Sequence, residues 1–212
     1  ATENHVLFTG GQGYNGAYST RVTAFDRAYT RTSVTTGLTV GCNYHAGGKV
    51  KQYAIFTNGL HGTSVDVYDN SLTKHTADAV SVARAHNRGI SQGDFVMFVG
   101  GSTGNQYALT NIDVYDSSLT HSVMSLSVAR ASYAGTALDG FCIAAGGVDA
   151  SNNLLQSVDA FDSSRTKVDV SNLNYARSQM AATSIGNFSL IGGGFVGGRD
   201  SNTSVVEAYA VV

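Results

Sequence analysis

The chain has 212 residues, a formal net charge of −2, only 13% charged residues, 25 Gly, and neither Pro nor Trp. The near-neutral charge excludes the basic surface that nucleic acid demands, and no apolar run reaches the roughly 20 residues of a membrane-crossing helix, so neither nucleic-acid partners nor membrane insertion is expected. Low charge with abundant Ser, Thr and Gly also excludes a coiled coil or a charged disordered tail, leaving one domain large enough to build its own core.

In chain order, the first element is an apolar strand, LFTGG (7–11), and the next is VTAFD, ending at Asp26. A degenerate LTVGC ends at Cys42, then come IFTNG (55–59) and VDVYD, ending at Asp69. VSVAR ends at Arg84 and is followed by MFVGG (97–101) and by IDVYD, ending at Asp116. LSVAR ends at Arg130, with IAAGG (143–147) and VDAFD, ending at Asp162, after it. NYAR ends at Arg177, then LIGGG (190–194) and VEAYA, ending at Ala210, complete the series. From Asp26 the steps to Asp69, Asp116, Asp162 and Ala210 are 43, 47, 46 and 48 residues. A period in this range, carrying about four short alternating segments rich in Val, Ile, Tyr, Phe and Thr, is the signature of a propeller blade. The units run approximately over 1–37, 38–80, 81–126, 127–173 and 174–212, within one all-β domain of about five four-stranded blades.

Turn chemistry separates the segments. The first hairpin of a unit turns at Gln92-Gly93-Asp94, Leu138-Asp139-Gly140 or Ile185-Gly186-Asn187, where Gly, Asn and Asp tolerate positive φ. Between the third and fourth segments Asp69, Asp116 and Asp162 each precede a short Ser/Thr stretch, the pattern of an Asx turn. No segment has a sustained 3.6-residue period, so almost no helix is expected. With the four strands of a unit lettered a to d, Arg opens a, Gly-Gly closes b and Tyr/Phe-Asp closes c. The chain then holds five b and five c strands but only four a and four d strands. The expectation is a first blade without its inner strand and a last blade without its outer one. The alternatives are a fragment of a larger propeller and a subunit whose open edges are completed by another copy.

The ordered landmarks Arg, apolar strand, Gly-Gly and Tyr/Phe-Asp resemble those of Kelch repeats over residues 6–210. The resemblance implies a Kelch-like propeller. The chain departs from that pattern in lacking the Trp after Tyr-Asp, where Thr76, Val123 and Val168 stand. Some Kelch-like propellers are copper radical oxidases with a crosslinked Tyr-Cys and two His, and no such set can be assembled here.

Candidate sites follow from what repeats and what does not. Arg84, Arg130 and Arg177 are expected to face Asp69, Asp116 and Asp162 as a structural ladder rather than to form an anion-binding ring, since a feature that recurs with the period serves the repeat. The six His have no metal-ligand spacing, and Cys42 and Cys142 read as separate small core hydrophobes, so no cofactor, metal or catalytic residue is expected. The loops joining b to c vary between units. They supply Tyr14 and Tyr18, His61, Asn105 and Tyr107, Asn153, and Phe195 with Arg199 and Asp200, a mixture of flat apolar faces and amide or carboxylate groups suited to a glycan or a protein surface. The expected role is non-catalytic recognition or adhesion. Its rivals are a self-assembling structural subunit and, last, a divergent propeller enzyme. Ala1-Thr2-Glu3-Asn4 carries no initiator Met, which leans toward export and an extracellular or surface location, and Asn187 and Asn202 open two candidate glycosylation sequons.

Overall fold

The computed structural model describes residues 1–104, 107–198 and 201–210. Among these, eighteen strands form five antiparallel sheets in sequence order, and one short 3-10 turn, Gly59–His61, is the sole helical element. The first sheet has three strands, β1 (His5–Thr9), β2 (Val22–Asp26) and β3 (Arg31–Val34). The second has β4 (Gly47–Val50), β5 (Tyr53–Thr57), β6 (Val65–Tyr68) and β7 (Lys74–Thr76). The third comprises β8 (Arg88–Gln92), β9 (Phe95–Val99), β10 (Leu109–Asp116) and β11 (His121–Arg130). The fourth comprises β12 (Ala134–Leu138), β13 (Phe141–Ala145), β14 (Val158–Phe161) and β15 (Lys167–Val168). The fifth again has three, β16 (Ala181–Ile185), β17 (Phe188–Gly192) and β18 (Val206–Ala210). These are the blades of a β-propeller, with the first lacking its inner strand and the last its outer strand, as the count of sequence phrases predicts.

The first strands of the second to fifth sheets, β4, β8, β12 and β16, adjoin one another in turn and line the axis. Because the middle blades are covered on both faces, every residue of β9 and of β14 is buried, all of them apolar except Asp159. Four clusters, one between each pair of neighbouring sheets, make up the core. Between the second and third sheets, for example, Ile55 and Val67 pack against Val96, Phe98 and Tyr115. The terminal sheets bury one face only. Phe8 is 62% exposed on the first and Val206 62% exposed on the fifth, and among the described residues no hydrogen bond joins those two sheets.

Gly-Gly closes each b strand for a steric reason. Gly100 and Gly101 have φ of 49° and 97°, and a Cβ on either would stand 2.5 Å from a carbonyl oxygen, of Arg130 and Ala85 respectively. At the other end of the blade, Asp116 Oδ1 accepts from the backbone N–H of Ser118 and Thr120 at 2.8 and 2.9 Å, with Leu119 at φ 63°. Asp26 and Asp69 close their turns in the same way, and Asp162 accepts from Thr166.

The arginines meet a different acid from the one expected. Arg84 pairs with Asp113 (2.5 Å), Arg130 with Asp159 (2.7 Å) and Arg177 with Glu207 (2.7 Å), not with Asp69, Asp116 or Asp162. Strand alternation explains the correction. Asp113 lies on the same face of β10 as Tyr115, turned toward the preceding blade, whereas Asp116 ends the strand at its c–d turn. Each guanidinium also donates to backbone carbonyls, those of Gly146 and Ser157 in the case of Arg130, so the group ties a linker to the blade it enters. In the second blade, where Cys42 replaces Arg, Asp66 is instead satisfied by Lys74 Nζ at 2.7 Å and by the N–H and hydroxyl of Thr39.

Candidate functional site at the axial mouth

Antiparallel topology sends the b–c loops and the linkers into the inner strands to one end of the sheets, and the a–b hairpins and c–d turns to the other. At the loop end, four consecutive linkers converge on a cavity of about 350 Å³ lined by Tyr44, His45, His86, Asn87, Arg88, Ser132, Tyr133 and Gln179. Tyr44, His86, Ser132 and Gln179 each lie two residues past the landmark Cys42, Arg84, Arg130 or Arg177, and all four adopt left-handed backbone, with φ of 51°, 55°, 53° and 57°. None is Gly. The fold thus imposes one uncommon conformation four times around the axis, and the chain places a different polar or aromatic side chain at each.

The next residue in each linker is His45, Asn87, Tyr133 or Met180. Tyr133 is fully buried. Its hydroxyl donates to Val99 O at 2.7 Å and accepts from Arg88 N, while Arg88 Nε donates to Tyr133 O at 3.0 Å. Burial pushes the Tyr133 phenol well above its usual range, so it remains a donor. Arg88 is thereby held by one edge, with its two terminal nitrogens unengaged among the described residues. His45 Nε2 bonds the Thr9 hydroxyl at 2.8 Å, burial holds its pKa below the ordinary value, and its Nδ1 is buried without a partner among the described residues. Asn87 is more than nine-tenths buried, and neither its amide nitrogen nor its oxygen has a partner among the described residues. His86 lies against the Tyr44 ring at 5.2 Å between centroids. The lining holds one permanent cation and no carboxylate among the described residues.

The loops chosen from sequence lie around this mouth. Ala85, Ala131 and Ser178, each directly before a left-handed residue, form bridges with Ser102, Val148 and Phe195 of the adjacent b–c loops. Tyr14 is fully exposed, Tyr107 is exposed, and Tyr18 packs against His61 at 4.1 Å between centroids with the rings tilted by 46°, joining the first two loops. His61 Nε2 in turn bonds Asn43 Oδ1 at 3.1 Å. Asn153 is structural, because its backbone and side-chain N–H groups both donate to Asp149 and close an Asx turn. Phe195 is half-buried between Ser178 and Asn202. Asn105, Arg199 and Asp200 lie outside the described residues. Asn187 and Asn202 are both exposed, the first in the β16–β17 turn at the opposite end of the blade.

The axial residues were not singled out from sequence. A signal was present in the second and third positions after the recurring Arg, which change in every unit although their surroundings repeat. Only the convergence of four linkers turns that variation into a site. The buried cysteines take no part. Burial pushes the Cys142 thiol up to about 12, and burial with the nearby Asp66 charge pushes Cys42 up to about 11.

The chain matches no protein-family model and no curated protein. Its fold is similar to the solved structure of YjhT, with a TM-score of 0.72 at 13% identity over all of this chain and 80% of that one. At that identity the likeness is one of fold.

Proposed function

We propose that the chain is a non-catalytic recognition propeller that binds a glycan at the axial mouth, with the b–c loops as its rim. The observation that carries this reading is the Asn87 amide, buried in the mouth with neither its donor nor its acceptor engaged among the described residues. Leaving such a group unpaired costs about 1–3 kcal/mol, which a ligand hydroxyl or amide that both donates and accepts would recover. The flat rings of Tyr44 and His86, the Arg88 guanidinium and the amide of Gln179 add the mixture of apolar faces and fixed polar groups from which sugar sites are built. A surface or extracellular setting and a Kelch-type ancestry are part of the same reading.

The test is a glycan microarray followed by titration calorimetry of any sugar retained. Replacement of Asn87 by Leu or Arg88 by Met is expected to weaken binding at least tenfold while leaving the thermal midpoint within a few degrees. Unchanged affinity in both variants overturns the axial site. Loss of binding on replacing Tyr14, Tyr18 and Tyr107 by Ala, with Asn87→Leu neutral, would move the site to the rim loops.

A further inference from the structure

Asn precedes Gly twice in the chain, at Asn15-Gly16 and Asn58-Gly59, and the fold treats the two pairs oppositely. The side-chain carbonyl carbon of an Asn lies within ring-closing reach of the next backbone nitrogen, and a Gly in the second position brings no Cβ to block the approach. Asn15-Gly16 sits at the tip of the loop joining β1 to β2, where every residue from Gln12 to Tyr18 is exposed. Even a Cβ on Gly16 would meet no described atom within 4 Å, so nothing crowds the ring. Asn15 Oδ1 accepts from the Ala17 N–H at 3.1 Å, which polarises the carbonyl toward attack, and its amide nitrogen is bound to no other described residue. The Gly16 N–H donates to Gly13 O at 3.0 Å, a bond of an exposed turn that opens without disturbing the core.

The second pair is locked. Asn58 is fully buried, its amide nitrogen donates to Ser64 Oγ at 2.6 Å, and its backbone carbonyl accepts from the His61 N–H in the 3-10 turn. A Cβ on Gly59 would stand 2.5 Å from Asn43 O, so that side of the pair is closed by backbone. Asn70, whose follower Ser71 is the smallest after Gly, is held as well: its side chain accepts from the Glu3 N–H at 2.9 Å and donates to Glu3 Oε2 at 3.0 Å. The chain thus carries its own control, one dipeptide in two settings.

We propose that Asn15 is a self-modification site, converted without an enzyme to a mixture of aspartate and isoaspartate. The Gly16 nitrogen, losing its proton to hydroxide, attacks Asn15 Cγ. The Cγ–Nδ2 bond breaks, and Nδ2 leaves as ammonia after taking a proton from water. Water then opens the cyclic imide: cleavage between the nitrogen and Cγ leaves an aspartate, and cleavage between the nitrogen and the main-chain carbonyl carbon leaves an isoaspartate. No electrons are exchanged, and each ammonia lost is matched by one water gained. The loop becomes one charge more negative, on the rim of a mouth whose described lining holds one permanent cation and no carboxylate. The isoaspartate product also inserts a methylene into the main chain of the loop that carries Tyr14 and Tyr18. The site is independent of the glycan reading, since it needs only the exposed turn.

Incubation of the folded chain at mildly alkaline pH in water enriched in heavy oxygen, followed by site-resolved peptide mass mapping, tests it. Conversion at Asn15, with uptake of the heavy oxygen, is expected to run at least about tenfold faster than at Asn58 or Asn70 and to give both products. In denaturant the rate at Asn58 should approach that at Asn15. Gly16→Ala should slow conversion at Asn15 at least about tenfold while leaving the far-UV spectrum unchanged. No conversion at Asn15, equal rates at Asn15 and Asn58 in the folded chain, or a difference that survives denaturation overturns the proposal. So does aspartate formed without isoaspartate, the mark of direct hydrolysis, or a Gly16→Ala variant that converts as fast as the unaltered chain.

Discussion

Arg130 Nη2, at the end of β11, lies 2.7 Å from Asp159 Oδ2 on β14, with both side chains wholly buried between the third and fourth blades. The pair is embedded in a set of carbonyl acceptors, so the guanidinium is both counter-ion and clamp. Removing one partner strands the other: Arg130→Met should cost about 3–5 kcal/mol in equilibrium unfolding by urea. The double variant Arg130→Met with Asp159→Leu should recover most of that loss. A double variant as unstable as the single one would show that the carbonyl contacts, rather than the charge pairing, dominate.

The same acids set the response to pH. Burial alone would raise the carboxyls of Asp113 and Asp159. Arg84 and the Ser81 N–H outweigh it at the first, and the Ser127 hydroxyl, Arg130 and Lys167 outweigh it at the second, so both titrate below the ordinary carboxylate range. A folded-state pKa below the unfolded value contributes stability that is complete above about pH 4 and is lost as pH falls through the folded values. Urea midpoints should therefore be sustained down to about pH 4 and fall steeply below it. Arg130→Met should blunt that acid-dependent fall, because it removes one of the groups that depress Asp159.

The two kinds of Gly separate by substitution. Gly101→Ala meets both a φ of 97° and a backbone oxygen, and is expected to cost at least about 2 kcal/mol. At Gly186 φ is 52° and a Cβ would meet no neighbour within 4 Å, so Gly186→Asn should cost under about 1 kcal/mol. Thermal midpoints of the two variants provide the comparison.

Both cysteines are buried free thiols whose pKa values lie well above neutrality. Neither should react with a disulfide reagent at about pH 8 in the folded chain, and both should react in denaturant. Labelling of one thiol in the native state would reveal local opening at its blade.

The repeat landmarks were sufficient to predict five blades, the absence of long helices and the two incomplete ends. Each landmark reflects a local constraint: two-residue alternation for the strands, positive φ for Gly100 and Gly101, Asx geometry for Asp69, Asp116 and Asp162. Local rules do not choose among several acids in a strand, so the pairing of Arg130 with Asp159 rather than Asp116 emerged only once alternation was combined with blade stacking. The axial mouth lay still further from the linear pattern, since Tyr44, His86, Ser132 and Gln179 are separated by more than forty residues at each step and converge only through rotation about a common axis. The exposure of Phe8 and Val206 is likewise a tertiary fact. The strand patterns around them match those of buried blades, and only the presence or absence of a neighbouring sheet decides whether such a residue forms core or an exposed face.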